Sequence, residues 1–198
     1  AHNAFAKIVR EEFGHARMVW FGAKGIPGPL AVLGIDPTLF LSDSPESQIS
    51  LLRIFQHSGF ENWPEVVMYG HLQDRAAEIQ LRDFASGLFR AWGLILDEID
   101  REERLHIRHG EQWIRKIAGT PIGTRALQSA VNKWFPHAMD VFGRPGGVSK
   151  TEKLLLQYRL KRMTNDEARR EFVRQVEPLI VACGLGLPHW VFEKNRPF

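Results

Sequence analysis

Two tetrads in the sequence pair a carboxylate with an imidazole at a spacing suited to metal chemistry: Glu12-Phe13-Gly14-His15 and Glu103-Arg104-Leu105-His106. On an α-helix, residues three apart share a face with Cβ atoms about 5–6 Å apart, so both side chains can reach one ion. In a chain with eight histidines, a single such tetrad arises readily by chance. Two copies, on different long helices and each on an apolar stripe, carry more weight. In the second the stripe reads Trp92, Leu96, Ile99, Glu103, His106, Gly110, Trp113 and Ile117. An ionisable group turned into a core costs several kcal/mol unless it is paired or metal-bound. The plainer reading is two buried His–Glu hydrogen bonds.

Two E-x-x-H helices, with one carboxylate from each of two further helices, can hold a pair of iron or manganese ions inside a helical bundle. A third helix should then turn an acid inward. Val67, Gly70, Asp74, Ala77 and Leu81 share a helical face, which selects Asp74, with Glu78 one turn further as the rival. The fourth carboxylate is expected from a helix before Glu12; Glu11 points about 100° away from Glu12 and is a poor substitute. Oxygen and nitrogen donors with open positions suit non-haem iron, with manganese second. Zinc prefers fewer ligands dominated by sulfur or imidazole, and Cys183 is distant in sequence from both tetrads.

The elements that must position these residues read as helices nearly throughout. Apolar periodicity at three- and four-residue steps runs over 4–22, 65–85, 88–118 and 124–142. Ser149 and Thr164 are N-caps for helices reaching Arg162 and Gly184, and Ser44 for a short one to about His57. Gly119 is expected to close the long helix, and Pro136 to bend the one after it. A proline- and glycine-rich connection spans 23–47, GFENWP at 59–64 and FGRPGG at 142–147 interrupt the pattern, and the tail after Pro188 is irregular. Strand-like alternation is absent. The expected fold is all-α: a ferritin-like antiparallel bundle with extra peripheral helices, one domain over 1–198 that lacks an N-terminal helix.

Composition narrows the function. At 198 residues and 44% hydrophobic, the chain can bury one sizeable core. One cysteine excludes an intramolecular disulfide framework, and a reducing cytoplasm is the expected compartment. A net charge of +3 is too weak for a nucleic-acid protein, and no run approaches the roughly 20 apolar residues that cross a membrane. His71 and His109 read as supporting or simply polar residues beside the tetrads. GIPGPLAVLG has the glycines but not the spacing of a phosphate cradle. Arg159, Lys161, Arg162, Arg169 and Arg170 read as a solvated helix face, the alternative being contact with a phosphate or with another chain. Trp20, Phe21, Trp134, Phe135 and Trp190 read as core, the alternative being exposed apolar surface.

Taken together, the motifs resemble a known family. EEFGH at 11–15, FENWP at 60–64, the Asp74 helix with Ala76-Ala77, DREERLH at 100–106, NKWFPHAMDVFG at 132–143, KRMTNDEARREFV at 161–173 and LGLP at 185–188 are colinear with catalytic subunits of bacterial multicomponent phenylacetyl-CoA epoxidases. The resemblance covers most of the chain. It implies a ferritin-like di-iron monooxygenase of aromatic catabolism that uses O2 to epoxidise the ring of phenylacetyl-CoA or a similar aryl-CoA thioester. It implies two iron ions held by Glu12, His15, Asp74, Glu103 and His106, with Glu12, Asp74 and Glu103 acting in catalysis. The family's remaining glutamate would lie about one helix upstream of Ala1. The implied partners are a homologous structural subunit, a small bridging subunit, and a separate flavin and iron–sulfur reductase. The alternatives are a metal-free structural paralogue, or a ferritin-like di-iron protein with another substrate.

Overall fold

The computed structural model describes residues 7–8, 10–15, 59–88, 90–143, 145–146 and 149–188, apart from the side chains of 91 and 92. The connection at 23–47, the helix expected from Ser44, the tail after Pro188, and Trp20, Phe21, Trp190 and the Trp92 side chain lie outside this set. The chain divides into two compact units, Ala1–Leu51 and Leu52–Phe198. In the first, residues 7–8 and 10–15 are helical.

Among its described residues the second unit has five helices: α1 (Trp63–Ala85), α2 (Arg90–Ala118), α3 (Pro121–Asp140), α4 (Lys150–Gln157) and α5 (Asn165–Ala182). Among the described residues there is no strand, and the architecture is the all-α, ferritin-like bundle. No helix among them is long and apolar enough to cross a membrane.

Local chemistry sets the helix boundaries. Asn62 caps α1 by accepting from the Glu65 N–H at 2.9 Å, while Glu65 reaches back to the Glu61 N–H, also at 2.9 Å. Thr120 caps α3, with Pro121 in its first turn, so this helix starts earlier than the periodicity from Thr124 suggests. Ser149 with Glu152, and Thr164 with Glu167, form complete capping boxes. Gly119 does not take a left-handed cap conformation; the α2–α3 corner closes through Thr120 instead.

Helix α4 stops at Gln157, short of the expected Arg162. Arg159 adopts a left-handed φ of 52°, the Leu160 N–H returns to Leu155 O at 2.8 Å, and the Arg159 N–H to Leu156 O at 3.0 Å. This is the Schellman pattern, usually completed by glycine. Gly184 completes the same pattern at the end of α5, with φ 69° and the Leu185 N–H on Ile180 O.

Helix α1 is central, packing on α2, α3 and α5. Its Met68, Leu72, Ala76 and Ile79 meet Leu127, Val131, Trp134 and Phe135 of α3 and Phe172, Val176 and Ile180 of α5 in one buried cluster. Trp134 and Phe135 are each 1% exposed, which settles them as core. Burying large apolar side chains contributes roughly 1.5–3 kcal/mol each, so this three-helix contact is what holds α1 in register.

Gly123 marks a close approach at the α2–α3 corner. A Cβ there would sit 2.0 Å from the Ile117 carbonyl oxygen, a backbone atom that does not yield. Gly123→Ala is expected to destabilise the fold by about 1–2 kcal/mol, the order of an overpacked core, as read from the urea midpoint.

Candidate metal centre

The site lies on the α1–α2 hairpin. The two helices are joined by a short link and run in opposite directions, so residues rising along α1 meet residues falling along α2: Arg75 bonds Glu111, and Arg82 bonds Asp100. Between these cross-links the hairpin brings together Asp74, Glu103 and His106. One ligand atom from each lies within 4.8 Å of the others. Glu103 and His106 are 4% and 2% exposed, and Asp74 is half-buried. The i, i+3 spacing on α2 sets Glu103 Oε2 and His106 Nδ1 3.6 Å apart.

Two carboxylates and an imidazole in this arrangement fit a divalent first-row cation with open positions, iron or manganese before zinc. The fit rests on three observations. The donors are oxygen and nitrogen, they converge from two helices, and two of the three are withdrawn from water.

In the first unit, Glu12 and His15 lie on one helical segment with His15 Nδ1 3.6 Å from Glu12 Oε2. The geometry repeats that of Glu103 and His106. The Glu12 side chain is half exposed.

Glu78, the rival of Asp74 in the sequence, sits among arginines. Glu78 is 2% exposed, but its oxygens are taken by Arg75 at 2.8 Å and Arg82 at 2.6 Å. Asp100, also buried, is held by Arg82 at 3.1 Å and by Arg104. Arg75 continues to Glu111 at 2.8 Å and to Gln175 of α5 at 3.2 Å. A ladder of alternating charge thus flanks the cluster and clamps α2 against α1. Asp74 is on the helix face expected from the sequence, but that face is not the most buried one. Gly70, Ala77 and Leu81 are half-buried with it, while Met68, Leu72, Ala76 and Ile79 form the core stripe. The physical reason is that α1 packs on several helices at once, so a flanking face meets α2.

His71, one turn before Asp74, is 2% exposed and lies against Gly110 of α2. A Cβ on Gly110 would come 3.1 Å from His71 Cβ, so the two helices approach closely here. Burial, reinforced by the Arg75 charge, pushes the His71 pKa down to about 3, with an Ile107 backbone interaction opposing. The ring is neutral in the folded state at physiological pH. In the unfolded chain it takes up a proton below about pH 6.5. Stability is therefore fully present above that value and is lost progressively as pH falls towards 3. Denaturant titrations of chelator-treated protein should show a falling midpoint over this window, with a flatter profile in His71→Phe.

His109 accepts from Trp113 Nε1 at 3.0 Å, and Trp113 stacks edge-on against Trp63. At the start of α1, Glu65 accepts from Lys133 at 2.5 Å and Trp134 Nε1 at 2.9 Å. Burial pushes the Glu65 pKa up, but those bonds and the Glu61 N–H more than offset it and hold it below the ordinary carboxylate value. Sequence reading did not single out Glu65, although its place three residues after Asn62 is the mark of a reciprocal cap.

The basic run is not one solvated face. Arg169 is fully buried, donating to Met139 O at 3.3 Å and Asp166 at 3.4 Å, and Lys161 is 9% exposed. The reason is the break after α4: it turns the run into two segments that face different ways.

One component of the 1,2-phenylacetyl-CoA epoxidase of Escherichia coli (strain K12) is 27% identical over 128 residues, 64% of this chain and 41% of that protein. The match thus spans less than half the length of this curated relative. A family model described as Phenylacetic acid catabolic protein matches residues 2–196. With nearly every residue inside that match and the helical hairpin intact, the chain belongs to the phenylacetic acid catabolic protein family.

Proposed function

We propose that the chain is the metal-bearing subunit of a multicomponent monooxygenase that epoxidises the aromatic ring of an aryl-CoA thioester, phenylacetyl-CoA being the first candidate. The observation that carries this reading is the convergence of Asp74, Glu103 and His106 ligand atoms within 4.8 Å inside the hairpin. The alternative, a metal-free structural paralogue, has no use for buried Glu103 and His106 facing an acid from another helix.

In this reading, Asp74, Glu103 and His106, together with Glu12 and His15 of the first unit, hold two iron ions. A non-haem di-iron group, when bound, supplies the activation of O2 for insertion of one oxygen atom into the ring. The chain's own residues supply position and environment. The carboxylates bring negative charge to match the cations, and His106 adds a neutral donor from an orientation set by α2. The Arg75–Glu78–Arg82–Asp100 ladder keeps the two helices at fixed separation, so the donors are held before a metal arrives. Electrons come from a separate flavin and iron–sulfur reductase, the partner that the family resemblance implies. Two further subunits, one a structural homologue and the other a small bridging chain, complete the assembly.

The test is anaerobic reconstitution of the full natural chain with Fe(II), followed by metal analysis and by turnover of phenylacetyl-CoA with O2, reductase and partner subunits. Binding of about one iron per chain or more, with oxygenated CoA product, is the expected result. Protein that stays below that stoichiometry and forms no product would contradict the proposal.

A further inference from the structure

We propose that Trp113 and Trp63 form a one-electron path between the metal centre and the protein surface, with His109 taking up and returning the proton of the Trp113 indole. The path rests on the metal centre proposed above and gives a role to three residues outside its ligand set.

The residues run along one helix and cross to its neighbour. His106, His109 and Trp113 are spaced three and four apart on α2, so successive side chains are neighbours on one side of the helix. Trp113 lies about 10 Å from His106 along the helix axis. Its indole Nε1 donates to His109 Nε2 at 3.0 Å. Its ring meets that of Trp63 on α1 edge-on, with centroids 5.7 Å apart and the planes at 88°. Trp63 is 37% exposed, whereas Glu103 and His106 are buried. The contacts thus lead from buried ligands to a ring that touches solvent.

Packing alone does not call for an imidazole here. A part-buried indole N–H needs an acceptor, and a carbonyl oxygen would serve equally well. An imidazole nitrogen is an acceptor that also takes up and gives back a proton near neutral pH. Because Trp113 donates to it, His109 Nε2 carries no proton and is placed to receive one. Indole is among the side chains most readily oxidised by one electron, and its radical cation is a far stronger acid than indole itself. The Lys116 ammonium lies 4.8 Å from the centre of the Trp113 ring. That charge disfavours a second positive charge on the indole, so electron loss from Trp113 is coupled to loss of its proton.

Reduction of O2 at the centre without substrate leaves oxidising equivalents beside the ligands, a competing reaction that the protein must control. In the proposed sequence Trp113 gives one electron to the oxidised iron centre, and its N–H bond breaks as the proton moves to His109. Trp63 then gives one electron to the Trp113 radical, which recovers its proton from His109. A small one-electron donor of the ascorbate class reduces the Trp63 radical cation at the surface. The net change is one electron moved from the donor to the iron, with neither tryptophan consumed.

The test is exposure of the full natural chain, reconstituted anaerobically with Fe(II), to O2 without substrate. Rapid-freeze electron paramagnetic resonance of protein carrying ring-deuterated tryptophan reads the radical. Peptide mass spectrometry reads oxidised Trp63 when no donor is present. In the wild type a tryptophan radical that disappears with added ascorbate, and oxidised Trp63, are expected. Both should be lost in Trp113→Phe, although Trp63 remains in place to meet any diffusing oxidant. His109→Leu keeps both indoles but removes the proton acceptor, and should suppress the radical as well; it serves as the second variant should Trp113→Phe fail to fold. Oxidation of Trp63 at the wild-type level in either folded, iron-loaded variant would overturn the path. So would oxidised iron with neither a tryptophan radical nor oxidised Trp63, which leaves the metal centre standing. A chain that binds no iron would overturn both.

Discussion

Replacing His106 with alanine is expected to lower Fe(II) affinity by at least about 100-fold, since loss of even an outer hydrogen-bond partner of a ligand costs 10–100-fold. The imidazole is 2% exposed and is the one nitrogen donor in the α1–α2 cluster. Water entering the gap would replace it without its fixed orientation. Glu103→Gln should act in the same direction, because it removes the negative charge and one ligand oxygen while keeping the side-chain shape. Both variants retain the core of Met68, Leu72, Trp134 and Phe172, so helical circular dichroism should be unchanged. Competition with a calibrated chelator under anaerobic conditions reads the affinity. Oxygenase turnover should fall with it, and no rise in iron concentration within the solubility limit should restore the wild-type rate. Retention of wild-type iron affinity in His106→Ala would remove this residue from the site.

Asp74 and Glu78 differ by one helical turn, and their replacement should have opposite consequences. Glu78→Ala leaves Arg75 and Arg82 without their shared buried carboxylate. Breaking a buried pair costs about 3–5 kcal/mol; because the Arg82 side chain is 47% exposed and can return to water, about 2–3 kcal/mol is expected here. The loss should appear as a lower urea midpoint with an unchanged slope, while iron stoichiometry in the folded protein is preserved. Asp74→Ala reverses the pattern. Its residue is half-buried, so folding stability should change little, whereas iron bound per chain should fall. A Glu78 variant that loses iron while remaining folded would reassign the ligand.

These expectations separate what local pattern reveals from what it conceals. The E-x-x-H tetrads are legible because three residues along a helix always bring two side chains together, whatever the rest of the fold does. Asp74 is legible by helical face, although the face turned out to flank the core stripe. A single helix carries no information about how many neighbours it will have, and α1 has several. The fate of Glu78 was not legible. Arg75 and Arg82 are visible three and four residues away, but their further partners, Asp100, Glu111 and Gln175, come from other helices. Nor was the break after Gln157: an arginine in the left-handed region gives no compositional signal of the kind glycine gives at Gly184. That break buries Lys161, and the arrest of Arg169 against Met139 follows from the packing of α5 on the end of α3. The caps at Ser149 and Thr164 were readable because each depends on residues within four positions.

The most direct test of the metal reading is a crystal structure of the full natural chain, reconstituted anaerobically with Fe(II) and measured at the iron absorption edge. Anomalous density at bonding distance from Asp74, Glu103 and His106 is the predicted result. Iron present in the crystal but bound elsewhere, with these three side chains bonded only to protein, would contradict it.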